Sequence, residues 1–253
     1  MILVVGAGLA GLTCAKVLVE AGHEVRVLES SDAVGGRVRT DANADGFLLD
    51  RGFQVLFTAY PAVRRHLDLE ALKLKPFLPG AAIVRDGRWH LLGDPLQRLS
   101  LLGPTLSNPL LPFGDKRRML RLRRNARRRS LDVIFNRPIK KGDKSIYAEL
   151  RRRHFSEHGF IENFARPFFG GIFLDRELNT SARMLLFTLK MLASGKTAIP
   201  EHGMGAIAEQ LAAKLPPHAL RLQTRVEGIV EADGRAVGVT MTGGEEMQGE
   251  AVV

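Results

Sequence analysis

Near the start of the chain, Gly6-Ala7-Gly8-Leu9-Ala10-Gly11 places three glycines at the spacing that lets a backbone approach a diphosphate. In a GxGxxG turn the first glycine makes the bend, the second leaves room for a pyrophosphate, and the third packs a helix on a strand. The free amides and positive dipole end of the following helix favour a phosphate anion. Glu29 stands 18 residues beyond Gly11, where an acid accepts hydrogen bonds from an adenosine ribose. A carboxylate there repels a ribose phosphate, which disfavours NADP and leaves FAD and NAD. From Glu29 and Ser30 the chain runs to Gly35-Gly36-Arg37, a flexible backbone whose cation can reach a diphosphate from the side opposite the helix.

These groups need a strand, a turn and a helix to hold them. Ile2 to Val5 is apolar, Leu9 to Ala21 is rich in helix formers, Gly22 closes that helix, and Val25 to Leu28 reads as a second strand. The dimensions are those of one βαβ unit with parallel strands, and the fold class expected is α/β, with a Rossmann-type FAD/NAD(P)-binding domain. From about Phe53 the pattern changes to proline-punctuated apolar segments, a hairpin signal at Val84 to Trp89 and several helical stretches. Thr180 is the expected N-cap of a helix running to Gly195, and Gly205 to Leu215 makes another. Arg225 to Glu231, Ala236 to Met241 and Glu246 to Val253, separated by Asp233-Gly234 and Gly243-Gly244, predict a three-stranded β-meander. The expected domains are residues 1–52 with 200–253 for the nucleotide, incomplete at the C-terminus, and an inserted, mainly helical substrate region at 53–199.

Composition removes other classes. The chain has 253 residues, 45% hydrophobic and 25% charged, so it can bury a core. One cysteine, Cys14, allows no intrachain disulfide and no multi-cysteine metal site. Cys14 itself is expected in the core. The seven histidines show no pair of the HExxH type, so no metal is expected, and His202 reads as a surface turn. No serine, histidine and acid set suggests a hydrolase, and no residue is assigned as catalytic acid or base. No stretch is apolar enough to cross a bilayer and no signal peptide is evident, which makes a cytoplasmic location the expectation. The net charge of +10 is local: residues 116–153 carry 16 of the 37 Lys and Arg and three of the 27 acids, leaving the remainder slightly acidic.

The run from Val4 through Gly11, Glu29, Gly35-Gly36-Arg37 and Asp50-Arg51-Gly52-Phe53 resembles the FAD-binding half of the flavin-containing amine oxidase superfamily, which includes protoporphyrinogen oxidases and phytoene-desaturase-type enzymes. The similarity continues through Arg166 to Gly171, Pro200 to Gly205 and Thr224-Arg225-Val226. It implies that FAD is the cofactor, that Gly6 to Gly11 hold its pyrophosphate and Glu29 its ribose, and that Arg37 lies along the diphosphate. It also implies that Val226 meets the adenine, that Gly52 and Phe53 lie beside the flavin, and that the activity is FAD-dependent oxidation or desaturation by hydride transfer from a substrate carbon. The substrate expected is a small lipophilic or amine-type molecule. Ala33 departs from an arginine frequent in the family. Members usually extend well past this length, so a second polypeptide supplying a C-terminal half is one expectation, and a catalytically incomplete FAD-binding fragment is its alternative.

The basic run Lys116 to Arg129 has a thin apolar stripe at Met119, Leu122 and Ala126 and follows an apolar loop, Leu99 to Phe113, broken by three prolines. Residues 99–129 therefore form a candidate peripheral membrane surface. A basic surface-binding module at residues 116–153 is the rival use of the same charge. Nucleic acid is not expected, since no aromatic residues interleave the arginines.

Overall fold

A computed structural model describes residues 1–52, 55–136 and 142–253; Phe53 lies outside the described residues. The chain divides into two compact units, one of Met1–Leu56, Pro61–Pro76 and Ala198–Val253, the other of Phe57–Tyr60 and Phe77–Thr197.

The first unit is built on a parallel sheet. Strand β1 (Ile2–Val5) pairs with β2 (Val25–Leu28) in register from Ile2 opposite Val25 to Val5 opposite Leu28. Leu220–Arg221 extends the sheet beyond β2, and Ala251–Val252 lies beside β1, again in parallel. Leu3, Val4, Val27 and Leu28 are buried, the apolar run expected of strands covered on both faces. Helix α1 (Leu9–Glu20) joins β1 to β2 and turns Leu12 and Ala15 inward. Gly22, at φ +87°, ends the helical region where a side chain would be strained.

Val226–Ala232, Arg235–Met241 and Glu246–Gln248 form a separate antiparallel sheet. Its third strand stops at Gln248, and Ala251–Val252 turns back to the parallel sheet. A two-stranded hairpin of β3 (Thr40–Ala42) and β4 (Leu48–Asp50) completes the part of this unit that bears on the site.

The second unit centres on phenylalanines. Phe155, Phe160 and Phe169 are fully buried, and Phe155 and Phe160 approach to 4.3 Å between ring centres, a contact that adds to their area burial. Serines cap several of its helices: Ser130, Ser145 and Ser181 each accept a backbone N–H of the first turn. The cap of helix Ala182–Ser194 is therefore Ser181, not Thr180. The Thr180 hydroxyl and N–H both donate to the Asp175 carboxylate, at 2.8 and 2.7 Å, so its side chain is committed elsewhere.

The apolar stretch after residue 98 is also not the loop its prolines suggest. Leu99–Leu101 is a 3₁₀ turn continuous with helix Leu102–Ser107. Pro104 is accommodated because it sits in the first turn, where a helical N–H has no intrahelical partner. Cys14 is half-buried rather than fully in the core. Among the described residues, no helix is long and apolar enough to cross a membrane, and no group of His, Cys, Asp and Glu could hold a metal.

Candidate functional site

The glycine turn between β1 and α1 is shaped by three different constraints. Gly6 has φ +96°, a conformation that side chains rarely adopt. At Gly11 an added Cβ would lie 2.0 Å from the Gly6 carbonyl oxygen, so only glycine lets α1 approach the turn this closely. A Cβ at Gly8 would meet nothing within 4 Å. The backbone at Gly8 thus borders open space that its own fold does not fill. Gly8 is also the N-cap of α1, and it offers no side chain to bond the first amides. No acid sits in the first turn, so no side chain of the helix itself offsets its positive end. Leu9 and Ala10 form that first turn, with Ala10 exposed.

Glu29 lies just past the end of β2 with only 9% of its surface exposed. Its Oε2 accepts the Ala7 N–H at 2.7 Å. Its Oε1 accepts the Ser31 N–H at 2.8 Å and the Ser31 hydroxyl at 2.7 Å, with Ser30 Oγ at 3.4 Å. Burial pushes the Glu29 carboxyl up, but the hydrogen bonds from Ser31, Ala7 and Ser30 outweigh it and hold the group below the usual glutamate range. A charged carboxylate is therefore fixed against the glycine turn, with lone pairs remaining for further donors. Ser31 has no place in the glycine motif. A serine two residues after a strand-ending acid, able to close a side-chain-to-backbone turn, is the signal that would have found it.

Ala7 links this acid to the next loop. While its N–H serves Glu29, its carbonyl accepts the Gly35 N–H at 2.9 Å. Gly35 and Gly36 both have positive φ, +114° and +53°. The Cβ position of Gly36 comes to 3.8 Å from the Gly8 Cα, so the second glycine pair folds onto the first. Arg37, next in sequence, is exposed. Gly52 packs on the Arg37 backbone, where a Cβ would be 2.5 Å from the Arg37 carbonyl oxygen.

On the other side of Glu29, its carbonyl accepts the Thr224 N–H at 2.8 Å, and that of Ser31 accepts the Gln223 N–H at 2.9 Å. These bonds bring Val226 into the region, where it packs with Leu3, Leu28 and Val239. Gly6, Ala7, Gly8, Gly11, Glu29, Ser30, Gly35 and Gly36 are thus tied to one another by short contacts, with Arg37 and Gly52 adjoining and Val226 packed on the strands below through Leu3 and Leu28.

A second group escaped the sequence reading. Thr40 Oγ1 donates to Asp50 Oδ1 at 2.5 Å and accepts the Gly205 N–H at 2.7 Å, while Asp50 Oδ1 accepts the Met204 N–H at 2.9 Å. Hairpin β3–β4 thereby caps helix Gly205–Ala212 from outside. Gly203 and Gly205 are needed because side chains there would strike Thr40. Arg39 pairs with Asp32 and with Asp41, and Arg51 pairs with Asp41 at 2.5 Å, which ties the Gly35 loop to the same hairpin. His202 lies in the turn before this helix and is largely exposed.

The family model described as flavin containing amine oxidoreductase matches residues 9–253. An L-amino-acid oxidase of Pseudechis australis is 37% identical over 100 residues, which is 39% of this chain and 19% of that protein. The chloroplastic/chromoplastic 15-cis-phytoene desaturase of Narcissus pseudonarcissus is 46% identical over 63 residues, 25% of this chain and 11% of its own. A solved putrescine oxidase superposes with a TM-score of 0.68 at 21% identity, covering 99% of this chain and 56% of the other. The architecture is therefore that of a mixed α/β flavin amine oxidase fold. The chain spans little more than half of that solved structure, and under a fifth of the two curated relatives.

Proposed function

The chain belongs to the flavin containing amine oxidoreductase family, and from that premise we propose that it binds FAD and serves as an FAD-dependent oxidoreductase. In this reading the first unit is a Rossmann-type FAD-binding domain that includes the three-stranded meander. Residues within 77–197 provide the inserted, mainly helical substrate region.

The observation that carries the reading is the junction of an open glycine turn with a charged, preoriented acid. Gly8 leaves space at an uncapped helix start, and Glu29 is held against the same turn through Ala7. The first amides of α1 would hold the pyrophosphate, Glu29 the adenosine ribose, and Arg37 the diphosphate from the other side. Val226 would meet the adenine, and Gly52 would lie beside the ring system. When bound, the flavin supplies the acceptor for a hydride from a substrate carbon. The chain's own part is to bind the cofactor, keep Glu29 ionised and fix the two glycine loops against each other.

The relatives' names support an amine or amino-acid substrate in one direction and a lipophilic polyene in the other. Titration with FAD, followed by calorimetry, tests the cofactor assignment. Saturable binding that Glu29→Ala weakens about tenfold or more, in line with loss of a charge-assisted hydrogen bond, is expected. Equal affinity in that variant would remove Glu29 from the site. Loss of visible flavin absorbance on anaerobic mixing with amines or with polyenes then separates the two substrate classes.

A further inference from the structure

Helix Phe113–Arg128 carries its charge on one side. With about 100° between successive residues, Met119, Leu122 and Ala126 share the side that meets the core, and Leu122 and Ala126 are buried. Arg123 and Lys116 come next around the helix, and both hold the segment before it. Arg123 Nε donates to Asp94 at 2.6 Å, and Lys116 Nζ donates to the carbonyls of Leu106 and Asn108 at 2.7 Å each. Leu120 and Phe113 follow, both exposed, Phe113 to 70%. Arg117, Arg121, Arg124 and Arg128 then form a continuous stripe. Among the described residues none of these four is in an ion pair. Arg121, Arg124 and Arg128, with Asn125 and Arg129, line a shallow cleft of about 510 Å³.

The segment clamped by Arg123 and Lys116 is inverted in polarity. Leu96, Leu99, Leu102 and Leu106, at spacings of three and four, are exposed, Leu99 to 77%. The residues turned inward are Leu101, Thr105 and Asn108. Thr105 Oγ1 accepts the Gly93 N–H at 2.9 Å, and Asn108 Nδ2 donates to the Leu91 carbonyl at 3.1 Å. The polar side chains are thus used inside to fasten the segment, while the leucines face out. Exposed leucines grouped along one short segment, with polar side chains turned inward, are the arrangement a docking surface needs.

We infer that residues 96–128 are a docking surface for an anionic lipid bilayer, with the leucines and Phe113 entering the acyl boundary and the arginine stripe on the headgroups. The argument is charge complementarity joined to apolar exposure. Anionic lipid offers hydrocarbon and negative charge side by side, and this face presents exposed leucine, then Leu120 and Phe113, then unpaired arginine. The inference is independent of FAD binding, since it uses none of the nucleotide residues.

Cosedimentation of the full chain with phosphatidylcholine vesicles, with and without phosphatidylglycerol, tests it. Binding is expected only with phosphatidylglycerol and is expected to fall as salt shortens the screening length. Arg121→Gln/Arg124→Gln should weaken it about twenty-fivefold, from about fivefold per arginine near a charged surface. Leu99→Ser/Leu106→Ser should also weaken it at low salt, with thermal unfolding unchanged because both side chains are exposed. No sedimentation with anionic vesicles at low salt would overturn the inference. So would binding that the leucine changes leave intact and heparin displaces, which would make the face a site for soluble polyanions instead.

Discussion

Residues 6–52 and residues 77–197 each carry one of the two proposed binding features, but they are built from different materials. In the first region the work is done by main chain: Gly6 bends, Gly8 stays open, Gly11 lets α1 close on the turn, and Gly35 and Gly36 fold over it. In the second it is done by the side chains' choice of direction, leucines outward and Thr105 and Asn108 inward. Backbone devices demand one residue type at one position and so leave a motif. Side-chain devices depend on which face of a helix a neighbour covers, which leaves only a pattern that many folds could use.

Substitutions within the glycine turn sharpen that contrast. Gly11→Ala should have the largest effect, since its Cβ would lie 2.0 Å from the Gly6 oxygen. A loss of about 3 kcal/mol in urea unfolding is expected, from forced backbone displacement, together with loss of FAD binding.

In the helical region the largest effect should come from Asp115. It is fully buried and accepts the Ser156 hydroxyl and N–H and a hydrogen bond from Arg118 at 3.0 Å. Asp115→Ala strands those donors and should cost about 3 kcal/mol, with FAD affinity of the remaining folded protein unchanged.

Glu29→Gln comes next, at about 1 to 3 kcal/mol for weakened charge-assisted bonds to Ala7 and Ser31. It also carries a pH signature. Glu29 is held below its ordinary value in the folded chain, so its contribution is complete above the unfolded-chain value of about 4.3. That contribution is lost as pH falls through the lower folded value. Acid unfolding curves of Glu29→Gln should lack this component, and identical pH dependence in the two proteins would contradict the clamp.

Gly8→Ala should have the smallest effect on folding. Open space surrounds its Cβ position, and a poorer N-cap is opposed by a stiffer unfolded chain, so stability should change by less than about 1 kcal/mol. FAD affinity should nevertheless fall more than about tenfold, because the added methyl occupies the space left for the pyrophosphate. Parallel losses of stability and binding at Gly8 would erase the distinction between a folding glycine and a ligand glycine.

The parts legible in the sequence are those where local chemistry allows one answer. The β1–α1–β2 unit follows from apolar runs around a glycine turn, and Glu29 stands out because its position is set by the length of that unit. The Asp86-Gly87 turn likewise follows from its residues, both at positive φ. Contacts distant along the chain left no such trace. Thr40 and Asp50 cap a helix more than 150 residues away, and nothing in their immediate neighbours signals it. The choice of Ser181 over Thr180 as a cap is decided by a side chain only five residues back, since Asp175 takes both the N–H and the hydroxyl of the threonine. Leu99–Ser107 is helical although its composition suggests a loop, because Pro104 falls in the first turn, the position that tolerates one.

The most direct test of the central claim is the visible absorption spectrum of the purified protein, with identification of any nucleotide released on denaturation. A flavin spectrum is expected, with FAD released by the unaltered chain and little or none by Gly8→Ala. A colourless protein that takes up no added FAD, while folded by circular dichroism, would contradict it.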